Sequence, residues 1–364
     1  MLVDYLCSIA YNKSMATIIL TGGGTAGHVT PHLALLPYLK KDFDNIYYIG
    51  SENGIERHII ERAGIPYYSV PCAKLNRKFT LKNLAIPFTL IKGTKKAGKL
   101  LDELKPDVIF SKGGYVALPV VFAAKRRVPV IAHESDYTVG LANKISAKYC
   151  EKVLTSFPSA AKTLKNGVYV GAPMRSSLYT ADGKESLKAF GFSGEKPVIL
   201  ITGGSLGASA INQAVHGALN DLLKKFDILH ICGKGNYSGI KKVGYVEMEF
   251  TDDMDKAFAV ADICLSRAGA NTVFEMASLK KPMLLIPLPK GASRGDQILN
   301  AEYFKNLGLA RVLEQSNLSP KSLTKALFSL YEDRNLFAAN FKAHPITSSA
   351  EKIAEILAST VLKN

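Results

Sequence analysis

Short apolar, β-branched runs recur along the chain, spaced widely enough for a helix between each pair. They read ATIIL (16–20), NIYYIG (45–50), YYSVP (67–71), DVIFS (107–111), VPVIAHE (128–134) and KVLTS (152–156). After a break come VILIT (198–202), DILHIC (227–232), ADICLS (261–266) and PMLLIP (282–287). Strands that are apolar on both faces and separated by helix-length segments predict parallel sheets covered on both sides, a doubly wound α/β class. The pattern restarts at KPVILITGGSLGASAINQAV (196–215), where a strand again runs into a glycine loop and a helix. Two Rossmann-like halves follow, with the Gly/Pro-punctuated stretch Val168–Leu178 as the linker. The predicted domains are 15–171 and 172–345. An amphipathic terminal helix at about 346–364 closes the chain, and residues 1–14 form a possible N-terminal extension, Met15 being itself a plausible start. No repeat of solenoid period and no low-complexity tract occurs.

A length of 364 residues is comfortable for two such domains. No apolar run approaches the roughly 18 residues of a membrane-spanning helix. The N-terminus carries Asp4 where a secretory signal would be basic, so a cytoplasmic protein is expected. Five dispersed cysteines (7, 72, 150, 232 and 264) form no CxxC pair, which argues against zinc and against a disulfide framework. The net charge of +15 is uneven: residues 1–171 carry 23 Lys and Arg against 12 Asp and Glu (+11), and residues 172–364 carry 23 against 19 (+4). Nine basic residues and no acid fall within 62–101, among them Lys74, Arg77, Lys78 and Lys82, interleaved with apolar side chains. Such a segment fits a solvated basic helix face, a nucleic-acid surface or a contact for anionic lipid headgroups. No nucleic-acid recognition motif accompanies it.

The loop TGGGTAGHVTP (21–31) contains Gly22-x-Gly24-x-x-Gly27, the spacing of a dinucleotide fingerprint, and Glu52 loosely supplies the acid such a site needs on a ribose. His28 closes the loop where a helix begins, either as a cap or as a general base. The second loop, TGGSLGA (202–208), places Ser205 among amides suited to a phosphate. In SRAGANTVFEMA (266–277), Gly269 turns the chain, and Glu275 is suited to a ribose diol or, through Thr272-x-x-Glu275, to capping its own helix. Asp296, Gln297 and Asn300 offer polar groups at another helix start. The string His133-Glu134-Ser135-Asp136 hints at metal, but adjacent strand residues point to opposite faces and chelate poorly. Asp253-x-Asp255 reads as the acidic start of a helix rather than a metal motif.

Eight segments in order, GGGTAGHVTP, SKGGYVALP, HESDYTVGLANK, GAPMR, GGSLGA, FTDDM, SRAGANTVFEMA and GDQILNAE, closely resemble the peptidoglycan N-acetylglucosaminyltransferases that act on a lipid-linked muramoyl-pentapeptide. The resemblance implies a GT-B fold, with two Rossmann-like doubly wound parallel-sheet domains facing a central cleft. The first would bind the acceptor and the second UDP-N-acetylglucosamine, the donor, with no obligatory cofactor or metal. It implies that Thr25, Ala26, Gly27 and His28 line the reacting sugars and that Arg175 and Ser205 approach the phosphates. Thr251 would meet uracil, Ala270, Asn271, Thr272, Val273, Phe274 and Glu275 would hold the nucleoside, and Gln297 would hold the sugar. Gly113, Gly114 and Tyr115 would lie on the acceptor side. His28 is the implied base, with His133 and Glu134 in reserve. Asp136 and Asp296 fall among the implied donor contacts, and three positions depart from the common pattern: Ala26 stands where a Gly is frequent, Asp136 where an amide is usual and Asp296 where a second Gln is common. The implied reaction is an inverting transfer from UDP-N-acetylglucosamine to the muramoyl 4-hydroxyl, at the cytoplasmic face of the membrane. The basic segment would touch the anionic leaflet, and other cell-wall enzymes would be partners. Another UDP-sugar enzyme of the same architecture (a glycolipid synthase or a 2-epimerase), an NAD oxidoreductase and a non-catalytic sensor are the competing readings.

Overall fold

The computed structural model describes residues 15–74, 85–204, 207–291 and 294–362. Two compact units emerge: residues 15–135, 139–173 and 349–362 form the first, and residues 136–138 and 174–348 the second. The first unit holds a seven-stranded sheet of β1 (Thr17–Thr21), β2 (Asn45–Gly50), β3 (Tyr67–Ser69), β4 (Val108–Ser111), β5 (Val130–Glu134), β6 (Lys152–Thr155) and β7 (Gly167–Tyr169). Its order is β3-β2-β1-β4-β5-β6-β7. The second holds β8 (Val198–Thr202), β9 (Asp227–Ile231), β10 (Tyr245–Met248), β11 (Ile263–Ser266), β12 (Met283–Leu285) and β13 (Ala310–Val312), in the order β10-β9-β8-β11-β12-β13. Every pairing between these strands is parallel.

Burial on both faces is the cause. In β1 every residue is buried, with Ile18 and Leu20 in one core cluster and Ile19 in another. The last helix, Ala350–Val361, sends Ile353 and Leu357, one turn apart, into the first of these clusters and packs on the helix Thr30–Asp42. Each such side chain contributes about 1.5–3 kcal/mol by leaving water. The two units also share a device at the start of their central strands. The Asp107 carboxylate accepts from Thr17 N at 2.7 Å, and Asp262 accepts from Val198 N at 2.7 Å.

Three strands went unpredicted, β7, β10 and β13, and all three are edge strands. An edge strand buries one side of its ladder only; these three are mixed in exposure, whereas β1, β5, β8 and β9 are buried throughout. The stretch read as a linker from Val168 therefore begins as β7, and the units part between Pro173 and Met174.

In each sheet the winding reverses once, between β1 and β4 and between β8 and β11. Open α/β sheets gather ligands just beyond the strand ends at such a reversal. The loops leaving these four strands carry most of the candidate residues.

Candidate functional site

The first glycine loop leaves β1 with Gly22, Gly23 and Gly24 at φ 155°, 155° and 85°, values that side chains avoid. What surrounds it is protein. A Cβ on Gly23 would lie 2.6 Å from the Glu56 carboxyl carbon, and one on Gly24 2.6 Å from the Tyr115 ring. Glu56 is fully buried at the start of the helix Ile55–Arg62. Its carboxylate accepts from Gly24 N and Ser51 N, each at 3.2 Å, and from the Ser51 hydroxyl. The chain thus supplies its own anion to the loop amides, where a pyrophosphate would have to bind. This overturns the dinucleotide reading of the fingerprint, and exposed Glu52 plays no part. Burial and then this same carboxylate push the Tyr48 and Tyr115 phenols above their ordinary pKa and push the Cys72 thiol up to about 12. Tyr48 donates to Gly22 O at 2.8 Å. Gly113 and Gly114 (φ 77° and 76°) let the loop after β4 press in from the other side, since a Cβ on Gly114 would lie 2.4 Å from Gly23 O.

Past these glycines, Ala26–His28 form one 3-10 turn. The His28 Nδ1 lies 2.8 Å from Thr25 Oγ1, and the ring is half-buried. Thr25 and Gly27 are exposed beside it.

His133 and Glu134 are structural. Lys112, itself buried, places its Nζ 2.5 Å from His133 Nδ1 and 2.8 Å from Ser135 Oγ, while His133 Nε2 faces Gly171 O at 3.3 Å. Burial and then the Lys112 charge hold this imidazole well below the ordinary range. Its accepting nitrogen is taken, so it is unsuited to removing a proton. The Glu134 carboxylate accepts from Gly140 N at 2.8 Å and from Asn143 Nδ2 at 2.9 Å, anchoring the following loop. The reserve base therefore gives way to a loop-holding role.

In the second unit the glycine loop differs at Gly204. Gly204 has φ 85°, the same as Gly24, yet among the described residues nothing lies within 4 Å of a Cβ placed there. Ser205 lies outside the described residues. Gly207 closes the turn with its amide 2.9 Å from Gly204 O, tight against Cys232 O. Opposite, after β11, the helix Ala270–Ser278 starts at Gly269, which supplies no side-chain cap and has open space where a Cβ would be. Thr272 and Glu275 sit inside this helix, so the capping-box reading of Glu275 fails. Ala270, Val273 and Phe274 are buried in the core, Phe274 edge-on to Phe304 at 5.1 Å, so only their backbone can meet a ligand; Asn271 and Thr272 are half-buried. Arg175 Nη2 lies 3.9 Å from Glu275 Oε1, and the Arg175 Nε is buried without a hydrogen-bond partner among the described residues. Burial raises the Glu275 carboxyl above the usual range, and Arg175 partly opposes that.

The remaining candidates divide. Gln297 Oε1 accepts from Leu288 N at 3.0 Å, which fixes the amide with its NH2 outward from that bond. Thr251 Oγ1 accepts from Asp253 N at 3.0 Å, and Asp253 is the residue before the helix Met254–Val260, as a helix-opening acid should be. Asp136 and Asp296 are joined through one cation. Arg294 Nη2 meets Asp136 Oδ2 at 3.2 Å, and its Nε meets Asp296 Oδ2. Thr138 Oγ1 donates to Asp296 Oδ1 at 2.6 Å, and Asn300 donates to Asp136 Oδ1 at 3.1 Å. Both carboxylates are thus engaged by protein, and buried Asn300 also accepts from Tyr137 N and donates to Ala268 O. Neither Glu56 nor Arg294 was singled out from the sequence: each reads as an ordinary charge near a helix start until its partners, distant in sequence, are known.

Two matches decide the family. Residues 18–155 match the glycosyltransferase family 28 N-terminal domain, and residues 198–357 match the family 28 C-terminal domain. The chain belongs to glycosyltransferase family 28. A relative from Clostridium botulinum (strain Loch Maree / Type A3) is 47% identical over 349 residues, 94% of this chain and 99% of its own. Its name is UDP-N-acetylglucosamine--N-acetylmuramyl-(pentapeptide) pyrophosphoryl-undecaprenol N-acetylglucosamine transferase. A second, from Bacillus cereus and named as transferase 2 of that kind, is 49% identical over 336 residues, covering 91% of this chain and 96% of its own. Among solved structures, Acinetobacter baumannii MurG superposes with a TM-score of 0.74 at 26% identity, over 94% of this chain and 99% of that one. The two parallel-sheet units are those of a GT-B glycosyltransferase.

Proposed function

We propose that this family 28 enzyme transfers N-acetylglucosamine from UDP-N-acetylglucosamine to the 4-hydroxyl of undecaprenyl-pyrophosphoryl-N-acetylmuramoyl-pentapeptide, with inversion. The observation that carries this reading is likeness to the named transferases at nearly half of all positions, running through both units. UDP is held by the second unit. The space over Gly204, open among the described residues, the start of the helix Ala270–Ser278 without a side-chain cap, and the Arg175 Nε, which has no hydrogen-bond partner among the described residues, suit its phosphates, with Ser205 as a further donor by its place in the sequence. Glu275 receives the ribose hydroxyls, Thr251 lies at the uracil end, and the Gln297 NH2 group donates to the sugar. As the glycosidic bond to phosphate breaks, these donors stabilise the negative charge that builds on the UDP oxygen.

His28 removes the proton from the attacking hydroxyl. Its Nδ1 lies 2.8 Å from Thr25 Oγ1, a contact that steadies the ring in the turn, and an imidazole is the side chain suited to proton transfer at neutral pH. The protein acts at the cytoplasmic face of the membrane. Support for this comes from the helix Ile86–Leu104: it buries Gly93, Ala97 and Leu101 while exposing Phe88 (76%) and Ile91 (55%) beside Lys92, Lys95, Lys96 and Lys99. Apolar side chains amid lysines suit an anionic leaflet. Exposed Lys74 precedes this helix; Arg77, Lys78 and Lys82 lie outside the described residues. No helix among the described residues is long and apolar enough to cross a membrane.

The test is incubation with UDP-N-acetylglucosamine and a lipid-linked muramoyl-pentapeptide analogue, reading UDP release. Release that depends on the acceptor is expected; none with a competent acceptor contradicts the reading. For the membrane contact, Phe88→Ser with Lys92, Lys95, Lys96 and Lys99→Ser should abolish cosedimentation with anionic vesicles, and unchanged binding would overturn it.

A further inference from the structure

In the second unit three side chains converge: His216 from the helix Ser209–Leu222, His230 from β9 and Glu247 from β10. Their ligating atoms lie within 4.8 Å of one another. Glu247 and His230 are register partners on adjacent strands, so one face of the sheet presents both. The Glu247 Oε1 is 3.0 Å from His216 Nε2 and 3.8 Å from His230 Nδ1. Four tetrahedral ligands at roughly 2.0–2.1 Å from a zinc ion stand about 3.3 Å apart, so these separations need only small adjustments.

The surrounding bonds fix which atoms face the centre. Asn212 Nδ2 donates to Cys232 O at 2.9 Å, which turns Asn212 Oδ1 toward His230 Nε2 at 3.1 Å. An amide oxygen only accepts, so His230 carries its proton on Nε2 and presents the Nδ1 lone pair to Glu247 and His216. Asn212 and His216 lie one turn apart on one helix face, one orienting His230 and the other completing the cluster. On the carboxylate, Ser238 N and Ser238 Oγ bind Oε2 at 2.9 and 2.5 Å, leaving Oε1 directed inward. His230 and Glu247 are therefore each held from behind by an outer partner, as is usual for metal ligands. Burial lowers the His230 pKa to about 4, so no proton competes for that nitrogen at neutral pH. For Glu247, burial alone would raise the carboxyl, but bonds from Ser238, His216 and Tyr245 outweigh it and keep the ionised form favoured. His216 is 23% exposed and gives the access route. The Tyr245 hydroxyl, 2.9 Å from His230 Nδ1, can turn its proton to Glu247 when an ion arrives.

We infer that His216, His230 and Glu247 form a site for a borderline transition-metal dication such as Zn2+, with water as the fourth ligand. Two imidazoles and one carboxylate oxygen favour Zn2+ or Co2+ over Mg2+ and Ca2+, which want oxygen alone. The ion ties the helix that leaves the second glycine loop to strands β9 and β10, apart from the residues assigned to the reaction.

The experiment titrates the full chain with Co2+ and follows the visible d–d absorption of tetrahedral cobalt. Saturation at one equivalent, displacement by Zn2+ and indifference to Mg2+ are expected. His216→Ala should weaken Co2+ binding at least 100-fold, and Asn212→Ala should weaken it about 10- to 100-fold through the orientation of His230. No cobalt band, a band unchanged in His216→Ala, or an intense near-ultraviolet sulfur-to-cobalt band marking a cysteine site would each overturn the proposal. Circular dichroism of each variant separates loss of the site from loss of the fold.

Discussion

The two units carry nearly the same string after their central strands, GGGTAG in one and GGSLGA in the other, and the chain uses them oppositely. Gly24 and Gly204 share φ 85°, but the space over Gly24 holds the Tyr115 ring, whereas that over Gly204 is open among the described residues. The Gly24 amide of the first loop binds a carboxylate of the protein itself, Glu56. A glycine fingerprint specifies a backbone shape; what occupies the shape is decided by a side chain delivered from elsewhere. Here that side chain fills one loop, and in the proposed function the other takes UDP.

The largest expected effect lies at the end of the filled loop. His28→Ala should lower turnover by about 10^2–10^4 with UDP affinity unchanged, since a positioned base contributes that much to the chemical step. A shift in UDP affinity measured by calorimetry, with turnover intact, would break the division of labour.

Acid distinguishes the units next. His32 and His133 in the first unit are held well below 6.5, chiefly by burial and then by Lys112, and His230 in the second is held at about 4 by burial. In the unfolded chain each protonates near 6.5. Their contribution to stability is therefore full above that pH and is lost as pH falls toward the folded value. The loss is about 1.4 kcal/mol per group per pH unit, roughly 2.7 in the first unit and 1.4 in the second. Hydrogen exchange at pH 7.5 and 5.5 should show core amides of the first unit losing protection about twice as steeply; equal slopes would contradict this.

At the nucleoside, Glu275→Ala should weaken UDP binding about 10- to 100-fold, the worth of one or two hydrogen bonds to a charged group, without loss of thermal stability. Smallest is the glycine pair. Gly24→Ala must displace Tyr115 as well as bear a left-handed backbone, so urea unfolding should show a loss of about 2 kcal/mol or more. Gly204→Ala bears the backbone strain alone, about 1–2 kcal/mol. Its clearer mark should be weaker UDP binding, and the reverse ranking would argue that the second loop is the filled one.

Much of this was legible in the sequence. Ten of the thirteen strands among the described residues announce themselves, most because a strand buried on both faces must be apolar at nearly every position, the edge strand β3 through its tyrosine pair, and the two glycine loops mark the winding reversals. The edge strands β7, β10 and β13 escaped for the same reason turned round: half-solvated, they carry no continuous apolar run. Site chemistry was less readable because it depends on pairing between distant residues. In the sequence Glu275 fits a cap as well as a ribose ligand, and only the start of its helix at Gly269 removes the cap; the Lys112 and Asn143 contacts of His133-Glu134 are equally invisible there. The same holds for Arg294, which joins Asp136 and Asp296.

The central claim, that the first loop is closed to the nucleotide and the second receives it, is tested most directly by hydrogen exchange with and without UDP. The account predicts that UDP slows exchange at Gly203–Gly207 and Ala270–Thr272 and leaves the amides of Gly22–Gly24 unchanged. Protection at Gly22–Gly24, with none at Gly203–Gly207, would contradict it.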